Sequence, residues 1–513
     1  MSTPAQLTKL RIKRKEEREL PTMTSMLEKP SASYDVEAIR YAQRAWAAQP
    51  LRTRLTVIAR LRHCMAAGAR ELAESIPLQL PGALHRTVAD SLVAEVLPLL
   101  EASRFLEREA ERVLRTHSLG SEGKPLWLGK VEAQIERVPW GSVLVIAAAN
   151  YPLLLAGVQA LQALVAGNAV LWKPAPGTET PAFTLRALLL QCGLPPELLT
   201  VLDSSTEAAT DAISAGMDFV VLTGSAQTGI SVARLLAETV TPAAMELSGC
   251  DALFVLPDAD REHTLRALSF GMRFNGSATC MAPRRIFLVG WTDTEASIFE
   301  SRLQAVLASL KPVSISSSLM DRLMRLLEDA KTQHAEIRLN GLQDVSPNCA
   351  GPTLITGATP SLLTMQSDIF APVMSVMRVA DSAEAVAANA ASPYALTASI
   401  FGSEHGARKL ARQLRAGNIL INDLIVPTAD PRVPFGGRGR SGYGVTRGAE
   451  GLLAMTTPRV IQTQRGKPKR PYEPTSEEHA ELFAGLAQLL HGAGLMNRFA
   501  GFRRISKVAR QMK

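Results

Sequence analysis

The sequence lacks any uninterrupted apolar stretch of the length that crosses a membrane. Its longest apolar segment, SVLVIAAANYPLLLAGV, contains Asn150 and Pro152, whereas a membrane-spanning helix needs about 20 consecutive apolar residues. The N-terminus, MSTPAQLTKLRIKRKEEREL, carries charges of both signs and has no apolar segment of the kind that secretory signals contain. We therefore expect a cytoplasmic protein.

Cysteine is scarce and irregularly spaced. The chain has five cysteines, Cys64, Cys192, Cys250, Cys280 and Cys349. Their number is odd, and no two of them have the spacing of a CxxC motif or of zinc ligands. The sequence predicts neither a disulfide framework nor a metal site, and reduced thiols in a reducing compartment are expected.

The body of the chain carries no excess of positive charge. Residues 1–28 carry six Lys or Arg and four acids, and residues 465–513 carry ten Lys or Arg and four acids. These two ends account for the whole net charge of +8, so residues 29–464 are close to neutral. The body also shows no basic stripe with interleaved aromatic residues, and we expect no nucleic-acid partner.

What the sequence does contain is an alternation of strand and helix patterns. A chain of 513 residues is long enough for two or three domains. Apolar residues recur at helical spacing from about residue 34 to residue 110. The segment KVEAQIERVP then alternates like a half-exposed strand, and SVLVIAAA is typical of a strand buried on both faces. The next segment, YPLLLAGVQALQALVAGN, predicts a helix that ends at Gly167.

The alternation continues from the strand AVLWKP to the helix TGISVARLLAET, and a second α/β pattern runs from about Asp251 to Gly451. This order predicts an open, mostly parallel sheet with helices on both faces, in which ligands bind beyond the carboxyl ends of the strands. The segment LTGSAQTG lies at such an end and opens a helix, where backbone N–H groups and the helix dipole favour a phosphate.

Four polar residues are candidates for chemistry. Glu246 lies in the apolar segment TPAAMELSGC, and Cys280 follows 34 residues later in the small-residue stretch NGSATC. Asn150 and Lys173 each end a predicted buried strand. Every one has an ordinary structural interpretation: a paired carboxylate, a core thiol, a turn amide and a solvated amine. Taken singly, none of them establishes a site.

Taken together, these residues and their surrounding motifs resemble the NAD(P)-dependent aldehyde dehydrogenase superfamily. The matching segments are NYP…AGNAVLWKP, LTGSAQTG, MELSG, FNGSATCMAP, DIFAPV, LINDL and PFGGRGRSGYG…GLLAMT, spread in order over roughly residues 30–465. The interval from Glu246 to Cys280 is like that of the superfamily, and the interval from Thr223 to Glu246 is like that of its class 3 branch.

The resemblance implies a fold and a division of the chain. It implies a Rossmann-type cofactor-binding domain, a second α/β domain that carries the nucleophile, and a small oligomerisation hairpin. The implied ranges are 1–29 for a charged extension, 30–120 and 137–247 for cofactor binding, 121–136 and 457–464 for oligomerisation strands, 248–456 for the catalytic domain, and 465–513 for a basic linker and amphipathic tail. Members form homodimers or homotetramers, and one of these is expected here.

The resemblance also assigns roles to individual residues. Cys280 is the implied nucleophile for an aldehyde, with a pKa that we expect to be depressed when cofactor is bound. The Asn150 amide and the Cys280 N–H are the implied oxyanion donors. Glu246 is the implied base for the water that releases the carboxylic acid.

The implied cofactor is NAD or NADP. By resemblance, Lys173 reaches the adenosine ribose, Gly224 and Ser225 meet the pyrophosphate, and Asp368 and Phe370 lie along the nicotinamide ribose. Gly229, in the same turn as Ser225, is included among the cofactor-binding residues.

The sequence departs from the superfamily pattern in ways that leave two alternatives open. Ser277 and Ala278 stand where Gly and Gln are usual, Asp368 replaces a Glu, and Pro176 replaces an acidic residue near the ribose. One alternative is a coenzyme A-acylating member, although such members commonly lack the base that Glu246 supplies. The other is a catalytically weak scaffold member.

The C-terminal tail carries a pattern of its own. In LMNRFAGFRRISKVARQMK, the apolar residues Leu495, Phe499, Phe502, Ile505, Ala509 and Met512 fall near one helical face. Six Lys or Arg, Lys513 included, accompany them, and no acid follows Glu481. This pattern is typical of a helix at an anionic membrane interface. Packing against the protein or a neighbouring subunit is the other interpretation, slightly favoured.

Overall fold

The computed structural model describes residues 34–80, 84–125, 128–343, 345–465, 475 and 477–511. These residues form two compact units. The first runs to Thr116 and resumes over Glu136–Arg459, and the second joins His117–Ile135 to the residues from Val460 onward. The extension predicted over 1–29, most of the linker after Arg465, and the tail residues Met512 and Lys513 lie outside the described residues.

The helices of the described residues follow in chain order. They are α1 (Val36–Ala48), α2 (Leu51–Ala67), α3 (Ala69–Glu74), α4 (Val88–Ser91), α5 (Leu97–Leu114), α6 (Leu154–Ala166), α7 (Thr180–Gln191), α8 (Thr206–Ser214), α9 (Ala226–Thr239), α10 (Arg261–Arg273), α11 (Asp293–Ala308), α12 (Ser317–Thr332), α13 (Leu363–Gln366), α14 (Ser382–Ala390), α15 (Glu404–Ala411), α16 (Gly448–Ala454), α17 (Glu477–His491) and α18 (Gly494–Gln511).

The strands are numbered in the same way. They are β1 (Gln79–Leu80), β2 (Leu84–His85), β3 (His117–Leu119), β4 (Val131–Pro139), β5 (Ser142–Ile146), β6 (Ala169–Lys173), β7 (Leu199–Val201), β8 (Phe219–Gly224), β9 (Ala243–Leu247), β10 (Asp251–Val255), β11 (Pro283–Val289), β12 (Val313–Ser314), β13 (Glu336–Leu339), β14 (Cys349–Ala350), β15 (Thr353–Thr356), β16 (Val373–Val379), β17 (Tyr394–Ala395), β18 (Thr397–Phe401), β19 (Asn418–Ile421), β20 (Arg438–Gly439), β21 (Gly442–Tyr443) and β22 (Thr456–Gln464).

The first large sheet has six strands in the order β21-β9-β8-β5-β6-β7. All neighbours run parallel except β21, which is antiparallel to β9. Every residue of β5 and β6 is buried, as the continuous apolar runs predicted. The intervening α6 is buried along its whole length and ends at Gly167 in the left-handed conformation, with φ 102°. The predicted mostly parallel α/β architecture is confirmed.

The second large sheet has seven strands in the order β13-β15-β16-β11-β10-β18-β19. It is parallel except for β13, which is antiparallel to β15. Because side chains alternate between the faces of a strand, Phe254 and Phe287 pack into one apolar cluster and Leu253 and Ile286 into another. The strand that carries the residues after Cys280, β11, is therefore central and fixed on both faces.

The helical region before β3 contains a detail that periodicity did not reveal. Between α4 and α5, residues Leu92–Val96 form a π-helical turn. A π-helical turn accommodates one extra residue in the helix and is frequent at functional sites. Here Glu95 is completely buried, so a carboxylate lies in the interior at the place where the helix is irregular.

The second unit holds a three-stranded sheet, order β22-β4-β3, and the helices α17 and α18. The amphipathic helix predicted from Leu495 onward corresponds to α18, and a further helix that was not predicted, α17, packs against it. A turn that contains Gly492 and Gly494 separates the two helices, with Gly494 at φ 76°. At the crossing, a Cβ added to Gly501 would lie 2.6 Å from the Gly485 carbonyl oxygen, so the two backbones approach closely.

Two findings bear on the absences noted in the sequence. Over the part of the chain that the structure describes, no helix combines the length and the apolar character that spanning a membrane requires. All five cysteines are free thiols. Cys64 and Cys192 are far apart in the sequence, yet their sulfur atoms lie 3.7 Å apart.

Candidate active site

A cleft of about 530 Å³ opens at the carboxyl ends of the strands of the six-stranded sheet. Strand ends of a parallel sheet meet at one edge, which is where ligands bind in such folds. Eight of the nine predicted site residues line this cleft: Asn150, Lys173, Gly224, Ser225, Glu246, Cys280, Asp368 and Phe370. The residues predicted from the sequence therefore lie together at one cleft rather than at scattered positions.

Gly229 is the ninth residue and lies behind the cleft wall. It belongs to α9, and a Cβ at this position would come within 2.5 Å of Leu247 Cδ1 on β9. The structure gives Gly229 a packing role, because it lets the helix that follows Ser225 approach the strand that carries Glu246. Direct contact with a cofactor stays a prediction for this residue.

Glu246 is a buried carboxylate with one free oxygen. Its Oε2 accepts a hydrogen bond of 3.0 Å from Thr446 Oγ1, while Oε1 is buried without a hydrogen-bond partner among the described residues. Burial raises the pKa of Glu246, opposed by the positive charge of Arg447 and by the Thr446 hydrogen bond. A buried acceptor without a partner is costly, and a bound water would satisfy it.

Cys280 follows the turn that joins α10 to β11 and is half-buried. Burial raises its pKa, and the negative charges of Glu246 and Asp251 raise it further, whereas Arg447 opposes them. The thiol is therefore the favoured form in this structure. The depressed pKa expected with cofactor bound stays a prediction.

Asn150 is fixed against the loop that carries Cys280. Its Nδ2 donates a 2.9 Å hydrogen bond to the Ala278 carbonyl. The backbone carbonyl of Asn150 accepts hydrogen bonds from Arg86 Nη2 at 2.5 Å and from Asn275 Nδ2 at 3.2 Å. The amide and the loop that carries Cys280 are thus held together.

Arg86 and Glu95 form a buried ion pair beneath this loop. The side chains are 1% and 0% exposed, and Arg86 Nε also donates a 2.6 Å hydrogen bond to Asn275 Oδ1. Glu95 Oε2 accepts from the N–H groups of Leu153 and Leu154 at 2.7 and 2.9 Å, at the start of α6. Burial raises the pKa of Glu95, and the Arg86 guanidinium opposes that shift.

The backbone before Cys280 is strained. Asn275, Gly276 and Ser277 have φ values of 49°, 55° and 66°; we call residues 275–277 the left-handed turn. For residues other than glycine this conformation costs about 1–2 kcal/mol each. Such strain persists only where surrounding contacts enforce it, and it is concentrated at functional sites.

The other end of the cleft has groups suited to a dinucleotide. Lys173 lies at the end of β6, and burial lowers its pKa, opposed by the charges of Asp203, Glu179 and Glu207. Ser225 caps α9 by accepting a 3.1 Å hydrogen bond from the Thr228 N–H. A helix N-terminus attracts phosphate, so an amine, a capped helix and a long cleft together fit a pyrophosphate-linked cofactor.

Asp368 is already engaged by other side chains. Its Oδ1 accepts hydrogen bonds from Arg322 Nη2 at 3.0 Å and from the Tyr394 hydroxyl at 3.1 Å. Phe370 packs at the edge of the cofactor-side apolar core. The shorter carboxylate of Asp368 is therefore held at the cleft wall, and its contact with a ribose stays a prediction.

Sequence reasoning missed several residues of the site. Arg86 and Asn275 are 189 positions apart, so no local pattern connects them. Arg284 is a buried arginine at the start of the apolar strand β11. The pair RR ahead of IFLVG was a usable signal, since a charge in an apolar run is buried and must be paired. Of the carboxylates near Lys173, Glu179 lies three positions after Pro176, whereas Asp203 and Glu207 follow β7; reasoning from Pro176 alone left them out.

Comparison with known proteins agrees with this geometry. A family model described as "Aldehyde dehydrogenase family" matches residues 17–461. The 4,4'-diapolycopene aldehyde oxidase of Methylomonas sp is 29% identical over 472 residues, which cover 89% of this chain and 86% of that protein. The 4,4'-diapolycopene-4,4'-dial dehydrogenase of Cytobacillus firmus is 30% identical over 348 residues, which cover 66% of this chain and 75% of that protein.

A solved structure has the same fold. It is betaine aldehyde dehydrogenase from Staphylococcus aureus in complex with NAD+, with a TM-score of 0.76 and 24% identity, covering 85% of this chain and 89% of that chain. These similarities do not single out the class 3 branch, which stays a prediction. The family match spans most of the sequence, and the chain belongs to the aldehyde dehydrogenase family as an NAD(P)-dependent member of it.

Proposed function

We propose that the protein oxidises an aldehyde to a carboxylic acid through a thioester on Cys280. The observation that carries this proposal is the buried, unpartnered Oε1 of Glu246 in the cleft that Cys280 also lines. A thioester is hydrolysed by water that a base deprotonates. A carboxylate with one satisfied oxygen and one free oxygen is suited to hold that water.

Different residues of the cleft carry out different steps of the proposed reaction. The Cys280 thiol loses its proton to solvent, and the resulting thiolate attacks the aldehyde carbon and forms a thiohemiacetal, whose oxyanion is stabilised by the Asn150 amide and the Cys280 N–H. Lys173, Ser225 and Asp368 would hold a nicotinamide cofactor, which would supply the acceptor for the hydride that leaves this carbon. Glu246 then deprotonates a water, which attacks the thioester carbon and releases the acid and the Cys280 thiolate. Arg447 offsets the negative charge that develops at Cys280 and Glu246.

The two alternative functions, a coenzyme A-acylating enzyme and a catalytically weak scaffold, require different features of the cleft. A coenzyme A-acylating enzyme delivers the acyl group to a thiol and needs no base for water, so the free oxygen of Glu246 favours hydrolysis. A scaffold protein has no need of a strained nucleophile loop, which costs stability without catalysis. Acid formation with and without added coenzyme A separates all three.

Substitution of Glu246 by glutamine should separate the two halves of the reaction. Hydride transfer does not need the carboxylate, whereas thioester hydrolysis does. Rapid mixing of Glu246→Gln with NAD(P) and aldehyde should show a burst of reduced cofactor of about one per active site, followed by a phase at least roughly a hundredfold slower than in the wild type.

The control for this experiment is Cys280→Ser, which should give neither burst nor slow phase. If Glu246→Gln lost the burst as well, Glu246 would act earlier, for example by activating Cys280. A Cys280→Ser variant with near-normal turnover would show that the nucleophile is a different residue.

We infer that the aldehyde has a largely apolar body. A small, mostly apolar cavity of about 20 Å³ has walls that include Ala102, Leu106, Leu154, Val158 and Pro431. Arg447 also lines it and acts electrostatically on Cys280 and Glu246, so one residue links this cavity to the catalytic groups. Two similar proteins are named for 4,4'-diapolycopene aldehydes, which supports an apolar substrate.

A panel of aldehydes tests this substrate class. Long alkyl or polyene aldehydes should have a kcat/KM at least about tenfold above that of succinic semialdehyde, because each methylene in an apolar pocket contributes about 1–3 kcal/mol. The variant Ala102→Phe should block this small cavity and lower kcat/KM for long aldehydes while propanal turnover is retained. A preference for the semialdehyde, or equal loss for both chain lengths, would contradict the inference.

We also infer that the protein assembles as a homodimer or homotetramer through β22. This strand lies at the edge of its sheet and is exposed from Pro458 to Gln464. Its side chains Val460 and Ile461 are exposed apolar groups, and an unpaired apolar edge is a template for strand pairing between subunits. Light scattering measures the assembly size, and a monomer at micromolar concentration would contradict this inference.

For the second unit we propose peripheral contact with an anionic membrane from the cytoplasmic side. Helix α18 exposes Leu495, Met496, Phe499 and Phe502, and Phe483 of α17 is also exposed. Helices α17 and α18 pack against each other, and these five apolar side chains remain exposed outside that contact. Arginine and lysine side chains surround them without an acid in α18, a combination that matches an anionic interface.

Co-sedimentation with phosphatidylserine vesicles should reveal this contact. The full chain should sediment at low salt and be released at high salt, since each basic residue near the surface contributes about 1 kcal/mol. A chain truncated after Gln464 should stay in solution. The variant Phe499→Ser should bind roughly tenfold more weakly, whereas Tyr41→Ser, which removes an exposed aromatic ring from the first unit, should bind normally.

Three results would contradict the membrane contact. The first is equal sedimentation of the full and truncated chains, and the second is no sedimentation of the full chain at low salt. The third is a smaller assembly for the truncated chain in light scattering, which would assign α17 and α18 to a contact between subunits.

A further inference from the structure

The left-handed turn is the most strained part of the catalytic loop. Its three consecutive residues have positive φ values, ending with Ser277 at φ 66°, and Cys280 follows three positions later. Glycine adopts such a conformation readily and serine does not. A contact that favours this conformation of Ser277 therefore helps to decide where the Cys280 backbone lies.

Arg284 makes that contact from β11. Its Nη1 donates a 2.7 Å hydrogen bond to Ser277 Oγ and a 2.6 Å hydrogen bond to the Ala371 carbonyl, and its Nη2 donates to the Ser277 carbonyl. The arginine is only 3% exposed. A single guanidinium thus binds both the side chain and the main chain of the residue with the largest φ of the turn.

We propose that Arg284 is a positioning residue that holds Ser277 in its left-handed conformation and so fixes Cys280 relative to the Asn150 amide. Arg86 holds the other end of the turn through Asn275, so the loop is bound at both ends by buried guanidinium groups. Serine and arginine act here as a pair: serine supplies a second acceptor, and arginine offsets the backbone strain that serine introduces. The catalytic consequence rests on the proposed role of Cys280, whereas the pairing itself does not.

The neighbouring residue provides a matched control. Arg285 is also a buried arginine of β11, 2% exposed. Its guanidinium donates to the Cys250 carbonyl at 2.7 Å and to Asn389 Oδ1 at 2.9 Å. It belongs to the same strand and carries the same charge, and neither hydrogen bond reaches the left-handed turn. Loss of Arg285 therefore reports the effect of removing a buried arginine alone.

The test compares Arg284→Gln and Arg285→Gln, each with and without Ser277→Gly. Arg284→Gln should lower kcat by about 10- to 100-fold, because small misplacements of reacting groups have effects of this size. The KM for the aldehyde should change less than about threefold, since the loop positions the nucleophile and does not bind the substrate body. Adding Ser277→Gly should restore most of the lost kcat, because glycine keeps the turn without the arginine.

A second readout does not depend on aldehyde oxidation. Alkylation of Cys280 by iodoacetamide, followed by mass spectrometry, should be at least about threefold faster in Arg284→Gln than in the wild type, because a released loop exposes the thiol to water. Ser277→Gly should bring this rate back toward the wild-type value. If no variant oxidises aldehydes but alkylation follows this pattern, the proposed function fails and the positioning role stands.

Three results would overturn the proposal. They are a kcat for Arg284→Gln within threefold of the wild type, no recovery on adding Ser277→Gly, or equal recovery of Arg285→Gln by the same change. If the single variant Arg284→Gln does not fold, Arg284→Lys replaces it, with and without Ser277→Gly, and the same criteria apply. Lysine keeps the charge but cannot bind both Ser277 acceptors in one plane.

Discussion

The buried carboxylate of Glu95 is the constraint on which the loop before Cys280 depends. It is completely buried, and such a group is tolerated only when paired and hydrogen-bonded. Its oxygens bind the N–H groups of Leu153 and Leu154, at the start of α6, and the guanidinium of Arg86. Arg86 in turn binds the left-handed turn through its first residue. Because breaking a buried ion pair costs about 3–5 kcal/mol, the helix α6, the ion pair and the loop before Cys280 form one unit.

The same burial shapes the chemistry of the cleft. It raises the pKa of both Cys280 and Glu246, and the negative charge of Glu246 adds to the effect on the thiol. A thiol that stays protonated is protected against adventitious oxidation, at the expense of nucleophilicity. Arg447 is the charge that offsets both shifts, and it is held by the Thr428 carbonyl at 2.9 Å and the ring of Phe435. The reactive form of Cys280 therefore depends on this nearby charge and on what fills the cleft.

Sequence patterns predicted the architecture and the residues that line the cleft, but not what holds them. Apolar runs and terminal glycines locate β5, α6 and β6 because they depend on neighbours in the chain. Glu246 and Cys280 were recognisable from their segments. The contact of Arg86 with Asn275 joins positions 189 residues apart, and the role of Arg284 depends on a backbone angle at Ser277. Long-range pairing and backbone strain are set by tertiary structure, and a single sequence does not reveal them.

The central claim is that the acyl group passes through Cys280, and mass spectrometry of the trapped enzyme tests it most directly. Glu246→Gln is mixed with NAD(P) and an aldehyde, quenched with acid after one turnover, and digested. The account predicts a peptide containing Cys280 that is heavier by the acyl group, sensitive to hydroxylamine, and absent without cofactor. An unmodified Cys280 peptide, or an acyl group on another residue, would contradict it.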